Sequence, residues 1–450
     1  MVVRVKSNCS PDFADLIASR PERYPFLLES SAYHPDRGRY DILFAYPESE
    51  LLLSQGRLFR DGEAQHSADF FAALDNWFAD EQVSDDEPND LPFSGGWFVY
   101  LGYEIAAQIE PSLDLPTTKL DIPSAFAMRI PLAVIRDRVS DETWVVAEDS
   151  GDARISEVLK DLQSANGALA TRAAATRLTI DEEMESTYLD AVQKIKRYIE
   201  EGDVFQVNLS RVWSASLAQA DDIVTIYRHL RERNPAPFSG ICRYHDFAIA
   251  SSSPERLIQV RNRWVETRPI AGTRPRSDDP DEDQRLSDEL RAHPKEQAEH
   301  IMLIDLERND LGRVCEPGSV EVEGLMGLES YAHVHHIVSA VTGRLRDGIT
   351  PGETLKAVFP GGTITGCPKV RCMQIIAELE KTGRGAYTGS LGFINRNGDM
   401  DFNILIRTVV AQGQHLEFRT GAGIVADSDP RLELEETRAK ARGLLLALDT

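Results

Sequence analysis

Several protein classes need features that this chain has little of. Its five cysteines, Cys9, Cys242, Cys315, Cys367 and Cys372, are odd in number and include no CxxC pair. That excludes a cysteine-based zinc site and fits a reducing compartment with buried thiols. Positive charge is scarce: 49 Lys and Arg against 73 Asp and Glu give a formal net charge of -24. A nucleic-acid or anionic-membrane partner demands a basic surface, so neither is expected. Long apolar runs are missing too. GLLLAL at 443–448 is far too short to span a bilayer, and the opening MVVRVKSNCS has no apolar leader core, so a cytoplasmic protein is expected. No repeat of 20 to 50 residues and no HExxH motif occurs. What remains is an acidic globular chain, 42% hydrophobic over 450 residues, able to bury a sizeable core. An anionic substrate would need local Arg or Lys, backbone N–H groups or a metal ion to overcome the chain's own field.

Periodicity divides the chain near residue 178. Before it lie the strand-like runs YDILFAYP (40–47), GGWFVYLGYE (95–104) and TWVVAED (143–149), a helix over 155–163, and the Ala/Thr-rich connector SANGALATRAAATR at 164–177. After it, Tyr188, Val192, Ile195 and Ile199 form the apolar stripe of an amphipathic helix that ends near Gly202. Strand signals then alternate with helix signals at 295–311, 353–358, 368–381 and 430–447. Hairpins are predicted at Arg396-Asn397-Gly398-Asp399 and Gln412-Gly413-Gln414. This is an α+β pattern rich in antiparallel sheet. Residues 1–177 and 178–450 are expected to share sheets, with the second part carrying the chemistry.

Two helices repeat one acidic spacing. Glu296 and Glu299, and Glu433 and Glu436, each stand at i, i+3, so each pair shares a helix face. Asp429 and Pro430 suit the cap and first turn of the second helix. Such carboxylates suit Mg2+, which takes one or two of them and keeps several waters; they serve equally as solvated faces or as ion pairs such as Glu436 with Lys440. FPGGTITGCPKVR (359–371) imitates a P-loop but lacks its Gly-Lys-Ser/Thr, leaving anion binding at a helix start or plain turn geometry. Gly421, Gly423 and Ala426 satisfy a loose dinucleotide fingerprint, with too little chain after them for the rest of that fold. A dehydrogenase is therefore the distant alternative, and the local chemistry left is close backbone approach or a nest for a carboxylate. His333, His335 and His336 precede an apolar run. They read as structural imidazoles or, beside an anionic metal-bound substrate, as a general acid. Arg308, Arg313 and Arg407 read as surface ion pairs or as carboxylate clamps.

Read in order, SPERL (253–257), RPIAGTRPR (268–276), AEHIMLIDLERNDLGRV (298–314), HHIVS (335–339), FPGGTITGCPKVR, YTGSLGF (387–393), IRT (406–408), GAGIVADSDP (421–430) and EETRAKA (435–441) closely resemble the chorismate-utilising enzymes. LLESSAYHPDRGRYD (27–41) and FSGGWFVYLGYE (93–104) extend the likeness to nearly the whole chain. The resemblance implies one fold of two large interleaved antiparallel sheets flanked by helices. It implies chorismate as substrate and Mg2+ as cofactor, with Glu299 and Glu436 as ligands supported by Glu296 and Glu433. It also implies Glu255 as general acid/base and His336 beside the leaving group. Tyr387, Arg407, Gly421, Ala422, Gly423 and Lys440 would hold the carboxylates, with Gly272 and Thr273 lining the ring.

The same resemblance narrows the chemistry. Members that add water carry a lysine where this chain has Gln206; an amide cannot deprotonate water, so an amine-adding branch is implied. The chain shows no glutaminase-like nucleophile motif, so a separate glutamine amidotransferase subunit is the expected partner. FPGGTITG, APFSG (236–240) and GRYDILFAYP resemble aminodeoxychorismate synthase component I, on the route to 4-aminobenzoate and folate. Ala271 stands where well-known members of that branch carry a lysine nucleophile; anthranilate synthases, which serve tryptophan synthesis, have alanine there. LLES (27–30) matches the family's tryptophan-binding segment, with Ser30 as a ligand.

Overall fold

The computed structural model describes residues 2–32, 38–83, 90–165, 178–217, 223–277, 279–330 and 334–448. Most of the predicted connector, and His333, lie outside them. Apolar residues alternate between two different cores. In Tyr40–Ala45, Ile42 and Phe44 join one apolar cluster while Leu43 and Ala45 join another. In Gly96–Leu101, Phe98 and Tyr100 enter the cluster of Ile42 and Phe44, whereas Trp97, Val99 and Leu101 enter a third. A strand covered on both faces reads as an unbroken apolar run, which is why ILFA and WFVYL look the same along their length.

The strands form two twelve-stranded sheets among the described residues, with every pairing antiparallel. Each sheet draws strands from both sides of residue 178: Phe26–Glu29 pairs with Phe238–Tyr244 in one, and Gly96–Leu101 with Ser390–Asn395 in the other. Between the sheets aromatic rings interlock, Phe26 stacking on Phe98 at 4.1 Å and Phe126 on Tyr244 at 4.3 Å. Helices cover the outer faces. Phe13–Ser19, Arg154–Ala165, Ile223–Arg233 and Pro430–Leu448 pack on the first sheet through Leu16, Val158, Leu230 and Leu444. Phe70–Glu81, Pro294–Gly312 and Pro351–Val358 pack on the second through Phe71, Leu311 and Leu355.

The predicted amphipathic helix is Glu185–Glu200, and Tyr188, Val192 and Ile195 are its buried face. The other helices form within a few residues of expectation. Pro368 is the N-cap residue of Lys369–Glu380. Asp429 caps Pro430–Leu448 as predicted, its carboxylate accepting from the N–H groups of Arg431 and Leu432. Both hairpins form, joining Ser390–Asn395 to Met400–Asn403 and Thr408–Gln412 to His415–Ile424. No helix among the described residues is long and apolar enough to cross a membrane.

Candidate active site

The site grows from one strand, Gln206–Ser216. Its Val207 and Leu209 pack with Val192 and Ile375 of the covering helices, so alternation turns Gln206, Asn208 and Ser210 to the opposite face. All three are buried although polar. The neighbouring strand, His415–Ile424, meets them with glycines. A Cβ on Gly423 would come within 2.3 Å of Gln206 Nε2; one on Gly421 would meet Asn208 Oδ1 at 2.8 Å and the Tyr387 hydroxyl at 2.9 Å. These glycines serve by lacking a side chain inside an extended strand. They form neither the strand-to-helix turn of a dinucleotide site nor a nest, so both readings fall. Ala422 between them turns its methyl into the apolar cluster of Val207 and Leu209, away from the site.

Buried charge holds this face in place. Glu380 pairs with Arg384 at 2.7 Å and Arg419 at 2.8 Å, Arg384 donates to the Asn208 carbonyl at 2.7 Å, and Arg419 to the Ser210 hydroxyl at 2.9 Å. Arg384 also lies over the Tyr387 ring, and Glu104 accepts the backbone N–H groups of Arg384 and Gly385. Tyr387 is thus anchored through its own loop.

Glu255 follows the strand Phe247–Ser253 and is 6% exposed. Burial pushes its carboxyl up to about 7, against the hydrogen bond from Thr363 (2.7 Å) and the positive charges of Lys440 and Arg407. A carboxyl that titrates near neutrality can give and take protons there. Arg407, held at φ 51°, forms no ion pair among the described residues; burial lowers its pKa, with Glu255 as the opposing charge. Lys440 Nζ donates to the Gly421 carbonyl at 3.0 Å and pairs with Glu436 at 2.8 Å.

His336 is 4% exposed, and burial holds its imidazole down at about 4. Its Nδ1 lies 3.2 Å from the Gly272 carbonyl, which can only accept, so Nδ1 carries the proton and Nε2 is the acceptor nitrogen. The imidazole is therefore neutral near pH 7, with Nε2 able to accept a hydrogen bond. Gly272 itself sits at φ 63° in a bulge between Ala271 and Thr273, against Glu296 and Leu290. Ala271 is buried. The arginines around it are committed elsewhere: Arg268 to Glu329, Arg274 to Glu289 and Glu296, Arg276 to Asp283. Arg308 is an exposed partner of Asp305.

Glu296 and Glu433 stand in the first turns of Pro294–Gly312 and Pro430–Leu448, with Glu299 and Glu436 one turn further along. Glu296 lies 3.5 Å from Arg274, Glu433 accepts from the Ser428 hydroxyl at 2.6 Å, and Glu436 is exposed beside Lys440. No cluster of three or more His, Cys, Asp or Glu able to hold a metal occurs among the described residues. Ser30 lies apart from all of this. Its hydroxyl donates to the Ala32 carbonyl at 2.8 Å, and its neighbours Leu28 and Glu29 border a cavity of about 760 Å³ between the sheets, lined also by Phe238, Arg256 and Asp401.

Thus Glu255, Arg407, Lys440 and His336 share one electrostatic neighbourhood, which continues through Gly421 to Tyr387, Gln206 and Gly423. Sequence reasoning missed Asn208, Thr363 and Glu307. For Asn208 the signal was present: polar residues alternate with Val and Leu in QVNLS. Glu307, buried and pushed up by burial and by Asp310, shows nothing in DLERND that separates it from a surface glutamate.

Two large antiparallel sheets carry, beside a glycine-bordered strand, buried titratable groups and an arginine without an ion pair among the described residues. Residues 24–446 match the chorismate binding enzyme pattern, so the chain belongs to that family and is a chorismate-utilising synthase. It is 38% identical to aminodeoxychorismate synthase component 1 of Bacillus subtilis, covering 99% of this chain and 95% of that protein. It is 43% identical to anthranilate synthase component 1 of Streptomyces coelicolor, covering 80% and 74%. Among solved structures, anthranilate synthase component I from Streptococcus pneumoniae superposes with a TM-score of 0.80 at 31% identity, covering 92% of this chain and 93% of that one.

Proposed function

We propose that this protein aminates chorismate to 4-amino-4-deoxychorismate, using ammonia supplied by a separate glutamine amidotransferase. The observation that carries amination is Gln206: a buried amide, facing the glycines of the neighbouring strand, stands where a water-adding enzyme needs a base. The choice of branch rests on FPGGTITG, APFSG and GRYDILFAYP, and the name "component 1" borne by the Bacillus subtilis relative supports a partner subunit.

Chemically, the ammonia lone pair forms the new carbon–nitrogen bond and the ring hydroxyl leaves as water. Glu255 donates the proton that the departing hydroxyl needs, and its carboxylate recovers one from the added ammonium, so the proton count closes. Arg407 and Tyr387 hold substrate carboxylates, and His336 Nε2 accepts a hydrogen bond from the leaving hydroxyl. Glu299 and Glu436, each about a turn inside its helix, would supply the one or two carboxylates that Mg2+ needs. When bound, the ion would neutralise a ring carboxylate and let an acidic protein accept a dianion.

Ala271 favours a second reading, anthranilate formation, because its methyl offers no nucleophile for a covalent adduct. Purified protein given chorismate, Mg2+ and an ammonium salt should make 4-amino-4-deoxychorismate, read as 4-aminobenzoate after adding the lyase. Fluorescent anthranilate as sole product would overturn this choice, and turnover undiminished by a chelator would remove the metal.

A further inference from the structure

Two acceptor atoms on the strand Gln206–Ser216 are buried without a hydrogen-bond partner: Gln206 Oε1 and Asn208 Oδ1. Their residues are 7% and 9% exposed. Leaving a buried carbonyl unmatched is costly and calls for an absent donor. The third residue of the stripe shows the contrast, because the Ser210 hydroxyl is satisfied by both Glu380 and Arg419. The unmatched pair are successive same-face residues with Cα atoms about 7 Å apart along the strand, and each amide stands over a glycine of the neighbouring strand. Nor is the spot remote from the substrate: Asn208 Oδ1 and the Tyr387 hydroxyl converge on the space above Gly421.

We propose that Asn208, with Gln206, forms the docking site of the ammonia nucleophile, and that Asn208 is a specificity-determining residue for it. The inference rests on the proposed amination. Ammonia brings three N–H donors and one lone pair. Amide carbonyls accept the donors and leave the lone pair free to attack. Neither amide is basic enough to take a proton, so a water molecule there stays unactivated, whereas ammonia needs no activation. Arg384 fixes the strand beneath them by donating to the Asn208 backbone carbonyl, and the Cys372 thiol donates to the Gln206 backbone carbonyl at 3.1 Å.

The test is steady-state kinetics with ammonium chloride as nitrogen source at fixed pH, on wild type, Asn208→Ala and Asn208→Ser. Loss of one acceptor should raise the KM for ammonia about tenfold in Asn208→Ala, well beyond any change in the KM for chorismate. Asn208→Ser, which keeps an acceptor, should recover part of the ammonia KM. Asn208→Leu replaces the alanine variant if that one fails to fold. Equal rises in both KM values would make Asn208 merely structural and overturn the site, as would an unchanged ammonia KM in an aminating enzyme. A wild-type enzyme that consumes chorismate without ammonia, giving a hydroxylated product, would overturn the proposed function and the site together.

Discussion

A methyl group at residue 272 would have nowhere to go. The backbone there sits at φ 63°, and an added Cβ would lie 2.7 Å from Leu290 Cδ1 and 2.8 Å from Glu296 Oε2. A non-glycine residue in that backbone region costs about 1–3 kcal/mol before any clash is counted. The same carbonyl accepts from His336 Nδ1, so a shift at 272 disturbs the tautomer that leaves Nε2 as acceptor. Gly272→Ala should therefore lower the denaturant midpoint and depress kcat, and wild-type values for both would show that the bulge is relaxed. The residue type at this position was legible in PIAGT, but its physical demand was not, since no spacing rule says that Glu296 packs against it.

At the scale of elements, helix starts and strand alternation were readable because each rests on local chemistry: Asp429 before Pro430, the stripe from Tyr188 to Ile195, Asn-Gly at 397–398. The elements' mutual arrangement was not readable, because it depends on partners far apart in sequence. The Arg384–Glu380–Arg419 triad is the clearest case. It ties the helix Lys369–Glu380 to the strands Gln206–Ser216 and His415–Ile424, and each of its side chains is at most 2% exposed. Burial alone would raise the Glu380 carboxyl; the two guanidiniums outweigh it and hold the group below its ordinary value. Glu380→Gln would leave two buried cations facing one neutral amide. Breaking a buried pair by removing one partner costs about 3–5 kcal/mol, so a loss of that size in chemical unfolding is expected, with a raised chorismate KM because Arg384 also anchors the Tyr387 loop. A loss below about 1 kcal/mol, the worth of an exposed pair, would mean that other groups carry the charge of the arginines.

Over the whole molecule, buried ionisable groups set how stability follows pH. Burial raises Glu104 and Glu255 to about 7, and raises Glu307 as well. In the unfolded chain these carboxyls ionise near 4, so between roughly pH 4 and 7 the folded state binds more protons and each group makes stability fall as pH rises. His300 and His336 act oppositely. Burial lowers both to about 4, so below their unfolded value near 6.5 the unfolded state binds more protons, and stability rises with pH. The two slopes oppose each other up to about pH 6.5, and only the carboxyl slope continues above it. The -24 charge works in the same direction there, since each further ionisation adds to self-repulsion. The melting temperature of the protein should therefore decline from pH 6.5 and level off toward pH 8. Glu104→Gln should flatten the decline, because a glutamine keeps an acceptor for the Arg384 and Gly385 N–H groups but cannot ionise. A melting temperature that is constant or rising over this range would show that the buried carboxyls are already ionised in the fold, and Glu255 would then lose the protonated form that its proposed role as acid requires.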